Sequence, residues 1–238
     1  MPNHVINILT LEGPLSRVKE IFRAISPGPS QEELATEVDS PTEPGGPLFK
    51  PATKANLAKR REGRYEIDFE KIIPMPKNIY RGDVGSREEE IYGRDNWYHW
   101  NTNNWGTKWN AYDMSKIDDY TMTFNTAWAM PERVIKALSK MFPDVVVKIK
   151  WADEDIGSNC GEIHYRNGGE IFEDTPEDRS KEAYELAFEI NGGGEYYTYD
   201  KDKGTYIYKE NESRVSIYQA TADLKNIFER ISDLNEAK

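Results

Sequence analysis

Apolar and polar positions recur with clear periods along most of the chain. From Asn3 to Leu11 (NHVINILTL), Val5, Ile6, Ile8, Leu9 and Leu11 form a β-branched run that predicts a first strand, stopped by Gly13 and Pro14. Leu15, Val18, Ile21, Phe22 and Ile25 then fall at helical spacing, with Pro14 at the favoured start and Ser26-Pro27-Gly28-Pro29 as the stop. In Tyr65 to Ile73 (YEIDFEKII), Tyr65, Ile67 and Phe69 alternate with Glu66, Asp68 and Glu70, which predicts a half-exposed strand closed by Pro74-Met75-Pro76. A charged link from Arg81 to Arg94 leads to NWYHWNTNNWGTKWNAYDMS, read as a short helix and a turn at Gly106. Asp119 to Thr126 (DYTMTFNT) alternates as a strand, and PERVIKALSKMF, with Pro131 at its start, places Val134, Ile135, Leu138, Met141 and Phe142 on one helical face. Val145 to Trp151 predicts a further strand, and Gly161 to Arg166 turns through Asn167-Gly168-Gly169 into Glu170 to Phe172, a hairpin signal.

The order β-α-β, β-α-β with an added hairpin matches an α+β, ferredoxin-like βαββαβ core over residues 1–172. Residues 27–64, rich in Pro, Gly, Ser, Glu and Lys, read as an insertion after the first helix, expected to be partly mobile, with a modest helical stretch near Ala52 to Arg61. Residues 173–238 read as an αββα extension or small lobe. A helix opens it after Thr175-Pro176, Tyr196–Tyr199 pairs with Tyr206–Tyr208, and a last helix runs from about Thr221 to Leu234.

Composition narrows the function classes. The 238 residues are 37% apolar and 31% charged, and 12% aromatics supply bulky side chains for a core. A net charge of −11 argues against generic attraction to a phosphate backbone, which needs net positive surface. Of it, −7 lies from Glu173 to Lys238, where 16 acidic residues face 9 basic ones. The single cysteine, Cys160, excludes an internal disulfide, and His4, His99 and His164 are not at zinc-ligand spacing. No apolar stretch reaches the roughly 18 residues of a membrane span, and MPNHVINILTLEG lacks a basic start and a cleavage site, so a cytoplasmic location is expected.

The chemistry-bearing residues concentrate between Asn96 and Trp128. One arrangement packs Trp105 and Trp109 on one face of a turn, with Gly106 allowing close approach and Asn104, Asn110 and Asp113 satisfying loop amides. In the other, Trp97, Trp100, Trp105, Trp109 and Trp128 wall a cleft over the sheet, and His99, Asn103, Asn104, Lys108, Asn110 and Asp113 supply polar contacts, a lining suited to a base, a nucleotide or a peptide. His99 is a conceivable general base without a sequence partner. Asp113, Asp118 and Asp119 read as a solvated turn rather than a magnesium site, and no metal or cofactor is expected. Gly192-Gly193-Gly194 follows a helix and reads as its stop, not as a phosphate cradle.

Three pieces, KIIPMP at Lys71 to Pro76, NWGTKWNAYD at Asn104 to Asp113 and FNTAWAMP at Phe124 to Pro131, resemble the YubB-like ferredoxin-like family of plasmid and phage proteins. The opening MPNHVINILTLEG is similar too, so the resemblance spans about residues 1–26 and 65–172. It implies a ferredoxin-like domain of mobile genetic elements and carries over no catalytic residue. One cysteine cannot hold an iron–sulfur cluster. The expectation is a non-catalytic binding protein encoded by a phage or plasmid that acts on a host factor, for instance a defence system, by occluding a protein or sequestering a nucleotide-like signal. The alternatives are an enzyme on a nucleotide or nucleic acid using His99, Lys108 and Asp113, and an assembly protein that oligomerises through the sheet.

Overall fold

In the computed structural model of the chain, the described residues are 2–28, 35–37, 49–51 and 65–209. The expected helices near Ala52 to Arg61 and Thr221 to Leu234 lie outside them. The chain divides into two compact units, Met1–Gly192 and Gly193–Lys238.

The first unit is built on a six-stranded antiparallel sheet. In chain order it contains β1 (His4–Glu12), α1 (Leu15–Ile25), a short pair β2 (Ala35–Glu37) and β3 (Phe49–Pro51), α2 (Ser86–Tyr92), α3 (Trp97–Asn104), β4 (Tyr112–Lys116), β5 (Thr121–Ala127), α4 (Glu132–Met141), β6 (Val146–Asp153), β7 (Cys160–Arg166), β8 (Gly169–Asp174) and α5 (Lys181–Asn191). The large sheet runs β4-β5-β1-β6-β7-β8. Its first four members, with α1 and α4 as the crossovers, trace the ferredoxin-like βαββαβ path, and β7–β8 is the added hairpin.

Period-two patterning sets the two faces of the sheet. On β1, Val5, Asn7, Leu9 and Leu11 are buried while Ile6, Ile8 and Thr10 are half-buried. The first set joins Val18, Ile21, Phe22 and Ile25 of α1 and Val134, Ile135 and Leu138 of α4 in the main core. Asn7 is a polar intruder in that row. Its amide nitrogen donates to the Val5 and Phe124 carbonyls and to Thr126 Oγ1 (2.8 Å), while its Oδ1 is buried without a partner among the described residues. On the opposite face, Ala183 and Ala187 of α5 pack on Ala152 and Cys160, so this helix belongs with the sheet and not with an extension beginning at residue 173.

One expected strand is absent. Residues Tyr65 to Ile73 join no sheet; they run extended and close in a 3-10 turn at Phe69–Lys71. The alternation still reports burial correctly, because Tyr65, Ile67 and Phe69 are in the core. The backbone amides find other acceptors: the Asp68 N–H donates to the Ile25 carbonyl (2.8 Å), Ile67 to Met114 Sδ and Phe69 to Asn110 Oδ1. The second strand of the βαββαβ path is instead β4, which directly follows the Trp- and Asn-rich helix and is bulged between Tyr112 and Ser115.

The second unit contributes, among its described residues, a hairpin of β9 (Tyr197–Asp200) and β10 (Thr205–Tyr208). Tyr197 faces Tyr208 and Tyr199 faces Tyr206 across it.

Candidate functional site

The segment from Asn96 onward is anchored before it offers any surface. Asn96 is buried and caps α3, its side chain accepting from the His99 N–H (3.1 Å) and donating to the Gly93 carbonyl (2.9 Å). Past the helix end, Trp105 is only 3% exposed; its Nε1 donates to the Ile73 carbonyl (2.9 Å) and its ring meets Phe69 and Trp100 edge to face. Gly106, at φ +83°, turns the chain back. Thr107 then clamps the loop to the end of β5, donating to the Ala127 carbonyl (2.7 Å) and accepting from its N–H (3.1 Å). Asn110 is equally structural: Oδ1 accepts from the Phe69 and Ala111 amides and Nδ2 donates to Asp68 (2.7 Å).

What remains outside is a row of aromatic rings at the sheet end where β1 begins and β5 finishes. The Lys108 ammonium lies 4.8 Å from the Trp109 ring centroid and 5.4 Å from that of Trp128. Tyr98 meets Trp128 edge to face at 6.2 Å and Trp97 at 6.0 Å. On the other side, Trp109 meets Tyr112, and Tyr112 shares a 2.6 Å hydrogen bond with His4 Nδ1. Burial, helped by the carboxylates of Asp113 and Glu154, pushes the Tyr112 phenol up.

Trp128 is the most constrained member. It is 39% exposed and stands at φ +76°, a left-handed conformation that is costly for a bulky side chain, on the order of 1–3 kcal/mol. Both of its backbone polar groups are held: the N–H donates to the Asn3 carbonyl and the carbonyl accepts from Asn159 Nδ2, each at 2.9 Å. The same Asn159 amide donates to the buried Asp153 carboxylate (2.9 Å), which also accepts from Asn3 Nδ2 (3.1 Å). Three chain segments thus lock the indole outward. Asp113 repeats the backbone pattern at φ +50°, with Asn125 donating to it at 3.4 Å.

Residues 104–221 match the family model for the ferredoxin-like domain in Api92-like protein. The fold is ferredoxin-like. The match takes in β4 through β10 and leaves out β1 and α1. Among solved structures, the chain is similar to a crystal structure of a protein Api92 from Yersinia pseudotuberculosis, at 11% identity and a TM-score of 0.38, covering 74% of this chain and 99% of that one. No curated protein matches.

The eleven residues singled out by sequence therefore separate. Trp105 is interior and Asn110 half-buried in its bonds to Phe69 and Asp68; Trp100 packs on the core, and Asn104 donates to the Trp100 carbonyl (2.8 Å). Trp97, whose Nε1 donates to the Gly82 carbonyl, Lys108, Trp109 and Trp128 belong to the aromatic row, with Asp113 exposed beside Asn125 and Asn103 exposed on α3. His99 turns toward Glu89, 3.6 Å away. Among the described residues no hydrogen bond or ion pair joins His99, Lys108 and Asp113, and no group of His, Cys, Asp and Glu is placed to hold a metal ion. No helix there is long and apolar enough to cross a membrane. Sequence reasoning missed Tyr98, Tyr112, His4 and the Asp153–Asn159 brace, which converge from a helix, three strands and a loop far apart in the chain.

Proposed function

We propose that the chain is a non-catalytic binding protein whose aromatic row, Tyr98, Trp128, Trp109 and Tyr112 around Lys108, receives a flat, negatively charged ligand of the nucleotide type. The observation that carries this reading is Trp128: a partly exposed indole fixed in left-handed backbone by Asn3 and Asn159, beside a lysine held between two rings. Strained backbone braced from several sides is characteristic of places that must present a side chain. A base stacked on one such ring gains about 1–3 kcal/mol, and Lys108 supplies the charge that a phosphate or carboxylate needs. In the phage or plasmid setting implied by the sequence resemblance, the ligand would be a host signal sequestered in the host cytoplasm, or the row would occlude a host protein.

The test is tryptophan fluorescence of the full chain titrated with mono-, di- and cyclic nucleotides. We expect saturable quenching that Trp128→Ala weakens by at least tenfold while the thermal midpoint stays within a few degrees. Absence of quenching by every nucleotide, together with no host protein that wild type retains and Trp128→Ala does not, would sink the proposal. The enzyme alternative needs His99, Lys108 and Asp113 to act together, and among the described residues no hydrogen bond or ion pair joins them.

A further inference from the structure

At the opposite end of β6 from the aromatic row lies a groove between α4 and the β7–β8 turn. Arg166, at the turn, pairs with Val146, the first residue of β6, whereas Asp153, its last, braces Trp128. The groove holds about 400 Å³ and is lined by Arg133, Lys136, Ala137, Lys140, Asn167 and Gly168. We propose that it is an anion site for a compact phosphate-bearing ligand.

Helical geometry puts the three cations there. Arg133, Lys136 and Lys140 stand at i, i+3 and i+7, on one face, opposite the buried Val134, Ile135 and Leu138. None of the three is in an ion pair among the described residues, whereas Arg17, Lys116, Lys148 and Lys150 each hold a carboxylate. In a chain of net charge −11, three neighbouring cations outside any ion pair make this helix face locally basic, with Glu132 turned onto the Tyr165 hydroxyl at its edge.

The opposing wall is rigid and closely set. Asn167 and Gly168 both have positive φ (50° and 72°), as a two-residue hairpin turn of the primed type requires, and the Gly168 N–H donates to Ser139 Oγ (3.2 Å). A Cβ at Gly168 would come within 3.3 Å of the Lys140 side chain, so glycine lets the turn lie against the helix. Asn167 is exposed and adds an amide donor at the rim.

Size and surrounding charge select the ligand class. An open groove of this volume admits a small molecule along the helix face. An extended nucleic acid would carry its remaining phosphates over a chain of net charge −11, while a small anion needs only the three cations to balance it.

The experiment is titration of the full chain with inorganic pyrophosphate at low salt, followed by amide chemical shifts. We expect saturable shifts confined to residues 133–140 and 167–168, and an affinity at least tenfold lower in Arg133→Gln/Lys136→Gln. Removing the same charge from exposed positions elsewhere, in Lys77→Gln/Arg94→Gln, is expected to leave binding unchanged. A nucleoside triphosphate that shifts the same amides at lower concentration assigns the phosphate to a nucleotide, and equal binding assigns it to the phosphate alone. The proposal is overturned by absence of saturable binding, by equal loss in the Lys77/Arg94 control, or by an aspartate-rich peptide or duplex DNA binding as tightly as pyrophosphate.

Discussion

Trp105 and Trp128 are the same residue type in the same motif-rich stretch, and the structure uses them in opposite ways. Trp105 fills the core against Phe69 and satisfies the Ile73 carbonyl, so Trp105→Ala both opens a cavity and strands a carbonyl. The expected cost is about 3–5 kcal/mol, read as a lowered urea midpoint. Trp128→Gly removes a partly exposed ring and at the same time releases a left-handed backbone that glycine adopts freely. Its stability is expected to remain within about 1 kcal/mol of wild type, because the two effects offset. A loss at Trp128 as large as that at Trp105 would show that the exposed indole is a packing residue. Residue type and spacing single out this stretch, but they could not divide its rings into buried and exposed. Whether a tryptophan faces inward depends on Phe69 and Ile73, more than 30 positions away, and the rim partner His4 lies 108 positions from Tyr112.

At the level of elements, helices with an apolar stripe and strands on the central sheet are legible because their periodicity follows from burial on one face. α1, α4, β1, β5, β6 and the β7–β8 hairpin all stand within a few residues of the expected bounds. Tyr65 to Ile73 is the instructive failure: alternation specifies which side chains are buried and is silent on what the backbone hydrogen-bonds to. The helix Ser86–Tyr92 has no buried residue and so leaves no periodic trace. Since Asn110 replaces a neighbouring strand for Phe69, it behaves as a piece of the fold and not of the site. Asn110→Ala leaves the Phe69 N–H without its acceptor and removes one of the two donors to Asp68 Oδ1, at an expected cost of about 1–3 kcal/mol. Thermal unfolding checks the loss, and nucleotide quenching at Trp128 in the folded variant should match wild type; weakened binding with unchanged stability would return Asn110 to the site.

For the molecule as a whole, the buried groups that titrate make alkaline pH the sensitive side. Burial against α5, with the nearby Asp178 and Asp174 carboxylates, pushes the Cys160 thiol up to about 11 from its ordinary 9.0. Burial, reinforced by Glu132, raises the fully buried Tyr165 phenol above its ordinary 10.0. Both native groups hold their protons more tightly than the unfolded chain does. Stability from this source is therefore complete below pH 9, begins to fall as the unfolded thiol ionises, and falls further above pH 10 as the unfolded tyrosine does. The thiol alone accounts for on the order of 2 kcal/mol across its window. Cys160→Ala, which leaves the small-residue contact with Ala183 and Ala187 in place, should flatten the stability profile between pH 9 and 10 and keep the decline above 10. Urea midpoints of wild type and variant at half-unit steps from pH 8 to 10.5 measure this directly. Identical profiles would mean that the thiol ionises as readily in the native sheet as in the unfolded chain, and that α5 does not seal Cys160 from water.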